Sequence, residues 1–217
     1  NQSLTPFQKD EVELGLDLKM FDNRISLDLA YYQNTTTGDI VNASASPSSG
    51  FGSTLINLGE MTNEGIELLL RANVIDKSDF ALDLSLNYTN NQNNVVKTDE
   101  AGNDILLATG QLFQTSIGIK EGQPFGVIYG NKYVRDSAGN IVHTMSNGVP
   151  VPKSENNNEV IGLGVAPTTV GFGTNLRYKD FALNVFLEGK YGGSIISNTN
   201  VRMKQLGLHQ DTAPNGS

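Results

Sequence analysis

A few residues of this chain belong to types that could support acid–base catalysis. Asp83 and Glu188 could be regarded as the carboxylate pair of a glycoside hydrolase. Each, however, stands on the polar side of a segment in which apolar and polar residues alternate. A polar side of a strand that faces water accounts for both positions, so the sequence predicts that the chain is not an enzyme.

Metal and phosphate chemistry are equally weakly supported. His143 and His209 are far apart and lack nearby ligands at metal-site spacing. Residues 136–140 carry oxygen-bearing side chains but no closing Glu of a calcium loop, which favours a plain turn. Gly171-x-Gly173 precedes no helix pattern, so a phosphate loop is unsupported. The absence of Cys removes disulfides, Cys-based zinc sites and thiol nucleophiles. We therefore expect no cofactor and no metal.

The overall charge excludes another class of partner. The 217 residues carry a formal net charge of −8, whereas a nucleic-acid partner requires a basic face. No run of about 18 apolar residues is present, so no transmembrane helix is predicted. The mean hydropathy of −0.26 suits a soluble protein, but it suits a membrane β-barrel too, because only alternate residues of a barrel strand touch lipid.

The elements that would carry these residues are β-strands. Apolar and polar residues alternate with period two in eight segments of about the length that spans a membrane as a tilted strand. They cover residues 11–19, 25–32, 65–74, 80–89, 114–120, 125–134, 170–178 and 181–188, with the pattern weakest in the fifth and sixth. Short turns at residues 21–24, 76–79, 121–124 and 179–180 would join them into four hairpins.

The connections between hairpins are much longer than those within them. Residues 33–62, 90–113 and 135–168 are rich in Gly, Asn, Ser and Thr, and residues 99–103 and 136–140 resemble the tips of small hairpins. Such an alternation of short turns and long loops is typical of outer-membrane barrels. We expect the four short turns to be periplasmic and the three long loops to face outward.

Aromatic residues mark both ends of the predicted strands, as they do at the two interfaces of a bilayer. Phe21, Phe80, Tyr178 and Phe181 lie beside short turns, and Tyr31, Tyr32, Tyr88 and Tyr191 lie at the opposite ends. The predicted fold is therefore all-β, an antiparallel up-and-down transmembrane β-barrel segment.

Several stretches of the sequence carry a family resemblance. In order, they are residues 1–7 with Glu13-Leu14-Gly15-Leu16-Asp17; Phe21-Asp22-Asn23-Arg24-Ile25 with Leu27-Asp28 and Tyr31-Tyr32; Asn57, Gly59 and Asn63-Glu64-Gly65-Ile66-Glu67; residues 121–126 with Tyr129-Gly130; and Pro167, Gly171-Phe172-Gly173, Tyr178-Lys179-Asp180-Phe181 and Tyr191-Gly192-Gly193. Across most of its length the chain thus resembles the SusC/RagA family of TonB-dependent outer-membrane importers of Bacteroidetes. The chain departs from the family pattern at Phe7-Gln8, where Glu-Thr is commoner, and at Glu64, where Lys is usual.

The resemblance implies that residues 1–217 are a late part of a TonB-dependent receptor barrel, with about eight strands of a wall of roughly 22. The plug domain and the terminal strands would be absent, and residues 213–217 would end in a loop. The implied function is import of bulky nutrients, glycans or oligopeptides, with TonB acting through parts absent here and with a SusD-like surface lipoprotein as partner. The apolar side of the wall would contact outer-membrane lipid.

The polar sides of the strands supply the candidates for the lumen. They would either contact the plug or line the solute path. The candidates are Asp28, Glu67, Arg71, Asp83, Asn87, Asn175, Arg177, Asn184 and Glu188.

Two alternatives to the importer remain open at the level of the sequence. A closed eight-stranded membrane barrel, acting as a small pore or anchor, would match the strand count. A soluble carbohydrate-binding β-sandwich would place the apolar sides of the strands in a dry core.

Residues 80–89 give the sharpest test of the predicted lipid-facing side. Replacing Leu84 by Arg should lower barrel stability by about 2–4 kcal/mol if this position lies near the bilayer midplane. The same change at Ser85, one residue along on the polar side, should cost far less. Unfolding of the two variants by denaturant in lipid vesicles measures the difference, and a larger loss at Ser85 would reverse the assignment of the two sides.

Overall fold

The computed structural model describes residues 4–99, 101–112, 115–154 and 159–212. Its strands are β1 Gln8–Met20, β2 Ile25–Thr37, β3 Ile40–Ser44, β4 Ser53–Asn57, β5 Glu60–Asp76, β6 Phe80–Lys97, β7 Ile105–Leu112, β8 Thr115–Ile119, β9 Val127–Gly130, β10 His143–Ser146, β11 Val149–Pro152, β12 Glu159–Leu163, β13 Thr168–Tyr178 and β14 Phe181–Tyr191. One α-helix, α1, covers Asn198–Gln205, and short 3-10 helices cover Pro47–Ser49 and Gln210–Thr212.

Six strands form one antiparallel sheet, in the order β1-β2-β5-β6-β13-β14. Tight turns close its three hairpins. In the first, Asp22 and Asn23 adopt positive φ angles of 54° and 64°, as expected for residue types that tolerate the left-handed region. The backbone N–H of Arg24 donates to the carbonyl of Phe21 at 3.1 Å. This sheet, which we call the wall, confirms the predicted antiparallel up-and-down order.

A single register runs across the wall and sorts every side chain to one of two faces. One row of directly opposed residues reads Leu14, Tyr31, Ile66, Asn90, Thr168 and Tyr191. Because side chains alternate with period two, this row fixes the facing of all the others. The predicted apolar sides of the six strands coincide, so the wall has one apolar face and one polar face.

A β-bulge in β5 keeps this sorting intact near the turns. Asn73 is opposite Asp83 on the polar face, and the next paired residue is Ile75, opposite Leu82 on the apolar face. The extra residue, Val74, shifts the alternation by one. Without the bulge, Ile75 would lie on the polar face.

The two strands predicted from the weakest alternation do not belong to the wall. They appear as β8 and β9, which pair with each other but lie in a separate four-stranded sheet, β12-β9-β8-β7. The wall within the described residues therefore has six of the eight predicted strands. Gln114, the first residue of the predicted fifth strand, lies outside the described residues, as do residues 213–217.

The predicted turn at residues 121–124 is also placed at the wrong end. The N–H of Gly122 donates to the carbonyl of Val95 at 2.8 Å, near the end of β6 that is distant from Phe80. The other three short turns lie at the opposite end of the wall. The prediction failed because the weak alternation of β8 and β9 was counted as evidence for wall strands, and alternation alone does not say which sheet a hairpin joins.

The long connections are folded rather than structureless. They contain the hairpins β3–β4 and β10–β11 as well as the four-stranded sheet. A small hydrophobic core forms between these loop elements, the start of β5 and the end of β6. Its buried residues are Val41, Ala43, Leu58, Val95, Ile105 and Ile119, with Met61 and Phe125 packed beside them. The loop end of the wall is thus a packed unit with its own hydrophobic core.

Helix α1 follows β14 and is short. Ser197 caps its first turn, since its hydroxyl accepts a hydrogen bond from the N–H of Asn200 at 3.2 Å. Among the residues that the structure describes, no helix has the length and apolar character needed to cross a bilayer.

Gly65 of β5 offers a direct test of the close packing in the wall. A Cβ there would lie 2.5 Å from the ring of Tyr32 and 2.8 Å from the backbone carbonyl oxygen of Asn90. Gly65→Ala should therefore lower the free energy of unfolding by about 1–3 kcal/mol through overpacking. Gly15→Ala is the matched control, because nothing lies within 4 Å of a Cβ at that position. Denaturant midpoints of the two purified variants test this, and equal midpoints would contradict the packing described.

Candidate functional site

All nine candidate residues named from the sequence lie on the polar face of the wall. Asp28, Asn87 and Glu188 occupy one row of opposed positions. Glu67 lies one row nearer the loops, and Arg71 lies one row nearer the short turns. Asp83, Asn175 and Asn184 form the next row, and Arg177 lies closest to the turns. The structure thus brings the candidates together on one surface spread over five strands.

The polar face is concave. A cavity of about 740 Å³ opens on it and draws its lining from all six strands. Its charged lining residues are Asp17, Asp28, Glu67 and Glu188. Because a polar side chain is stable where water reaches it, this concavity fits a water-filled interior better than it fits a dry core.

Charges on the concave face are only partly neutralised. Arg71 Nη1 lies 3.9 Å from Asp28 Oδ2, and Lys190 Nζ lies 3.7 Å from Glu188 Oε1. Asp17 lies directly opposite Asp28, an arrangement of like charges that disfavours pairing when nothing intervenes. All these side chains are well exposed, so each ion pair contributes little to stability on its own.

Arg177 has a different role from the other candidates. Its guanidinium donates from Nη1 to the carbonyl oxygen of Ser78 at 3.1 Å. Ser78 belongs to the turn between β5 and β6, so the contact ties that turn to β13. This residue supports the local fold at the turn end of the polar face.

A ladder of asparagine side chains, which we did not predict from the sequence, crosses the polar face nearer the loops. Asn63 Nδ2 donates to Asn34 Oδ1 at 3.1 Å, and Asn93 Nδ2 donates to Asn63 Oδ1 at 2.7 Å. Asn93 Oδ1 in turn accepts from the backbone N–H of Phe125 at 2.7 Å. We call Asn34, Asn63 and Asn93 the amide ladder. It connects three wall strands to the folded loops.

Predicting the ladder from the sequence would have required the register of the strands. Asn34, Asn63 and Asn93 come from three strands, and only the pairing of β2, β5 and β6 makes them neighbours. Asn34 is buried, and buried amides need partners. Knowing the register from the sequence would have identified all three.

Two aromatic rings also lie on the polar face. Tyr32 packs over Gly65, and its hydroxyl donates to Asn91 Oδ1 at 3.2 Å. Phe186 packs over Gly171 and Gly173 and remains 57% exposed. Tyr32 was predicted to belong to an aromatic girdle, and this was wrong. Its position has the opposite parity to that of Tyr31, so it faces the polar side.

The remaining girdle residues are placed as predicted. Phe80 and Tyr178 are directly opposed near the short turns, with ring centroids 6.4 Å apart in an edge-on arrangement. Phe181 pairs with Tyr178 from the other side. Tyr31, Tyr88 and Tyr191 lie on the apolar face towards the loops. Between these two aromatic levels the apolar face is mainly aliphatic, with Phe172 as an exception, and it is open: Leu183 and Leu187 are 56% and 63% exposed.

The catalytic pair considered from the sequence is far too widely spaced. Asp83 is aligned through Asn175 with Asn184, four residues before Glu188 on β14. Four residues and two inter-strand spacings separate the two backbones by about 16 Å. Paired carboxylates of glycoside hydrolases lie about 5–10 Å apart. The geometry gives these two residues no joint role.

The loop residues considered as metal ligands form ordinary turns. Asp136 Oδ1 accepts from the N–H groups of Ala138 and Asn140 at 2.9 and 2.8 Å, and the bonds from Asn140 hold the pKa of the Asp136 carboxyl below its ordinary value. Hydrogen bonds from Asn103 likewise hold the pKa of the Asp99 carboxyl below its ordinary value. In the described ranges, no group of three or more His, Asp or Glu residues could hold a metal ion.

Comparison with known proteins identifies the class. The sequence matches the family described as "TonB dependent receptor-like, beta-barrel" over residues 1–205. The chain belongs to this family, which confirms the resemblance to SusC/RagA-type transporters. A β-barrel wall with one apolar and one polar face is the structure that this membership leads one to expect.

Individual relatives agree with the family assignment. TonB-dependent receptor P3 of Formosa agariphila is 28% identical over 220 residues, covering 92% of this chain, and receptor P26 of the same organism is 23% identical over 233 residues, covering 94%. The chain spans only 22% of the length of each. Among solved structures, the RagAB peptide transporter superposes with a TM-score of 0.65 at 21% identity, covering 86% of this chain and 21% of that one. The open-open state of the RagAB peptide importer gives a TM-score of 0.64 over 89% of this chain.

The amide ladder can be tested by removing its middle member. Asn63→Ala leaves the buried Oδ1 of Asn34 and the Nδ2 of Asn93 without their partner, which should lower the free energy of unfolding by about 1–3 kcal/mol. Asn94→Ala is the control, because Asn94 is exposed on the other face of β6 and its loss should cost less than about 0.5 kcal/mol. Denaturant unfolding of both variants checks this, and a neutral Asn63→Ala would show that the ladder contributes nothing.

Proposed function

We propose that this chain forms part of the barrel wall of a TonB-dependent importer of the bacterial outer membrane. The single observation that carries the proposal is the two-faced wall, apolar on one side and charged, polar and concave on the other. Membership of the family supports the same conclusion, and because the relatives are much longer, the transport activity belongs to the complete protein.

The height of the apolar band supports a position in a bilayer. On β6 it runs from Phe80 to Tyr88, about 27 Å along the strand. A strand tilt of about 40° reduces this to about 20 Å, close to the apolar band of about 25 Å in outer-membrane barrels. Beyond Tyr88 the same face carries Asn90, Gln92 and Asn94. We therefore place the lipid boundary at this level, with the loops outside the cell.

The polar face would line the lumen of the complete barrel. Asp28, Glu67, Asn87 and Glu188 surround its main concavity, where they would meet either the plug or the solute. The charges of the carboxylates among them are only partly neutralised on the wall. This supports contact with groups supplied by another part of the protein. Asp17 and Asp28, which lie opposite each other, are the like-charged pair that a cationic group from outside the wall would meet.

The partner and the solute follow from the class of importer. A SusD-like lipoprotein would cover the loop end, where the small core makes a firm platform. RagAB, to which the chain is similar in fold, is a peptide transporter. The resemblance to the SusC/RagA family implies bulky nutrients in general. Glycans or oligopeptides are therefore the proposed solutes.

The two alternative functions lack structural support. A closed small pore needs its first and last strands to pair, but β1 and β14 are the outer members of the wall in the described residues. A soluble sandwich needs a second sheet over the apolar face, yet leucines on that face of β1 and β14 are mostly exposed.

Sidedness can be tested by labelling introduced cysteines on intact cells with an impermeant reagent. Ser48 and Ser137 lie in the folded loops, and Ser78 lies in a short turn at the other end of the wall. All three are exposed, so their reactivity should depend on the side of the membrane alone. Cysteines at positions 48 and 137 should be labelled and one at position 78 should not. Labelling at position 78 alone would invert the proposed orientation.

Import itself is tested in cells that produce the complete protein. Uptake of a fluorescent oligopeptide or glycan mixture should require both the protein and TonB, since energy coupling passes through TonB. Loss of uptake on deletion of either one is expected. Uptake that continues unchanged without TonB would indicate a passive pore and contradict the proposal.

A further inference from the structure

The wall contains a gap at the loop end of β6. The last residue of β6 paired with β13 is Asn90, opposite Thr168, and the N–H of Asn91 then donates to the carbonyl of Pro167 at 2.9 Å. Further along, the N–H of Val95 donates to the carbonyl of Gln123 at 2.9 Å. Between these two contacts, no strand in the described part of the chain lies opposite β6 on that side. We call this gap the β6 window.

The window leaves part of the hydrogen-bonding edge of β6 without a partner strand in the described residues. Backbone groups of alternate residues point to the same side, so Asn93 presents its N–H and C=O to the side on which Asn91 and Val95 make their bonds. The carbonyl of Asn91 also lacks a donor from the opposing residue, because Pro167 has no N–H. An unpaired edge of this kind is a template for another extended chain.

A cavity of about 580 Å³ adjoins the window. It lies between the edge of β6, the turn that carries Phe125 and the segment that leads from β12 into β13. Met61, Phe125, Leu163 and Val165 supply its apolar lining, and Asp39 is its one charged lining residue. The amide ladder holds Asn63 and Asn93 in place at its side, so the shape of the cavity is fixed before any ligand enters.

Building on the proposed import function, we propose that the β6 window binds an extended peptide segment of the solute by strand addition. A peptide offers N–H and C=O groups at the spacing of the strand edge, and its alternate side chains would enter the apolar cavity. The cavity is also lined by the amides of Asn63, Gln92 and Asn93, which could bond to either solute. A peptide fits better than a glycan because only a peptide offers alternating N–H and C=O groups to the strand edge, and the ring of Phe125, on which a sugar could stack, is packed against the loop core.

The test uses the complete transporter purified in detergent and three defined probes. The first is an acetylated hexapeptide of alternating Ala and Leu. The second is the same peptide with N-methyl groups on alternate residues, so that one backbone edge is blocked while the side chains remain. The third is maltoheptaose. Calorimetric titration should show the unmethylated peptide binding at least about 10-fold more tightly than the methylated one, the effect of losing about two backbone hydrogen bonds.

A matched pair of variants locates the binding. Val165, which lines the cavity, and Val149, in the distant β10–β11 hairpin, are 58% and 59% exposed. Val165→Asn should weaken peptide binding by about 5-fold through lost apolar contact, and Val149→Asn should leave it unchanged. Because both side chains are mostly exposed, neither change threatens folding.

Several results would overturn the inference. These are no binding of the peptide, equal binding of its methylated form, equal affinity in the two valine variants, or binding of maltoheptaose that Val165→Asn weakens. None of them would touch the proposed import function, because TonB-dependent uptake is measured separately in cells. Uptake that needs no TonB would remove that function and leave the binding result standing.

Discussion

The continuous register of the six-stranded wall is the constraint on which the rest of the structure depends. In a bilayer every backbone N–H and C=O must be paired within the protein, and a wall of hydrogen-bonded strands meets this demand only when neighbouring strands stay aligned. Because side chains alternate, a slip by one residue at any strand would place leucines in the lumen and carboxylates in lipid. The bulge at Val74 preserves this sorting of side chains. Without the extra residue Ile75 would lie on the polar face, and with it Ile75 lies on the apolar face.

Above the apolar band the same strands serve another purpose. β5 and β6 have 17 and 18 residues, more than a tilted strand needs to cross a bilayer, and residues 89–94 of β6 are polar on both faces. There the amide ladder and the turn at residues 121–123 fasten the folded loops to the wall. The loop hairpins thus share a small core with the wall strands, and under the proposed function this packed end is the surface that a solute or a partner protein would meet.

The sequence predicted those parts of the fold that local periodicity controls. Alternation located all six wall strands, and Asp22-Asn23 correctly indicated a tight turn. The same signal misled at β8 and β9, where the weak alternation of a loop hairpin was assigned to the wall. What separates them is pairing over long distances along the chain, such as that of β6 with β13, which local patterns do not encode. The nine candidate residues share the polar face of the wall, and that they line a lumen stays a prediction. The ladder and the β6 window depend on the register and were not predicted. Tyr32 was misplaced for the same reason, since nearness to a strand end was given more weight than parity.

The central claim is that one face of the wall meets lipid and the other meets water, and a nitroxide scan along β14 tests it most directly. Each residue from Phe181 to Tyr191 would be replaced in turn by a spin-labelled cysteine in the complete transporter in lipid vesicles. Collisions with oxygen, which concentrates in the bilayer, should peak at odd-numbered positions such as Leu183, Val185 and Leu187. Collisions with a water-soluble nickel chelate should peak at even-numbered positions such as Asn184 and Glu188. A scan without a period of two, or with the two maxima exchanged, would contradict the account.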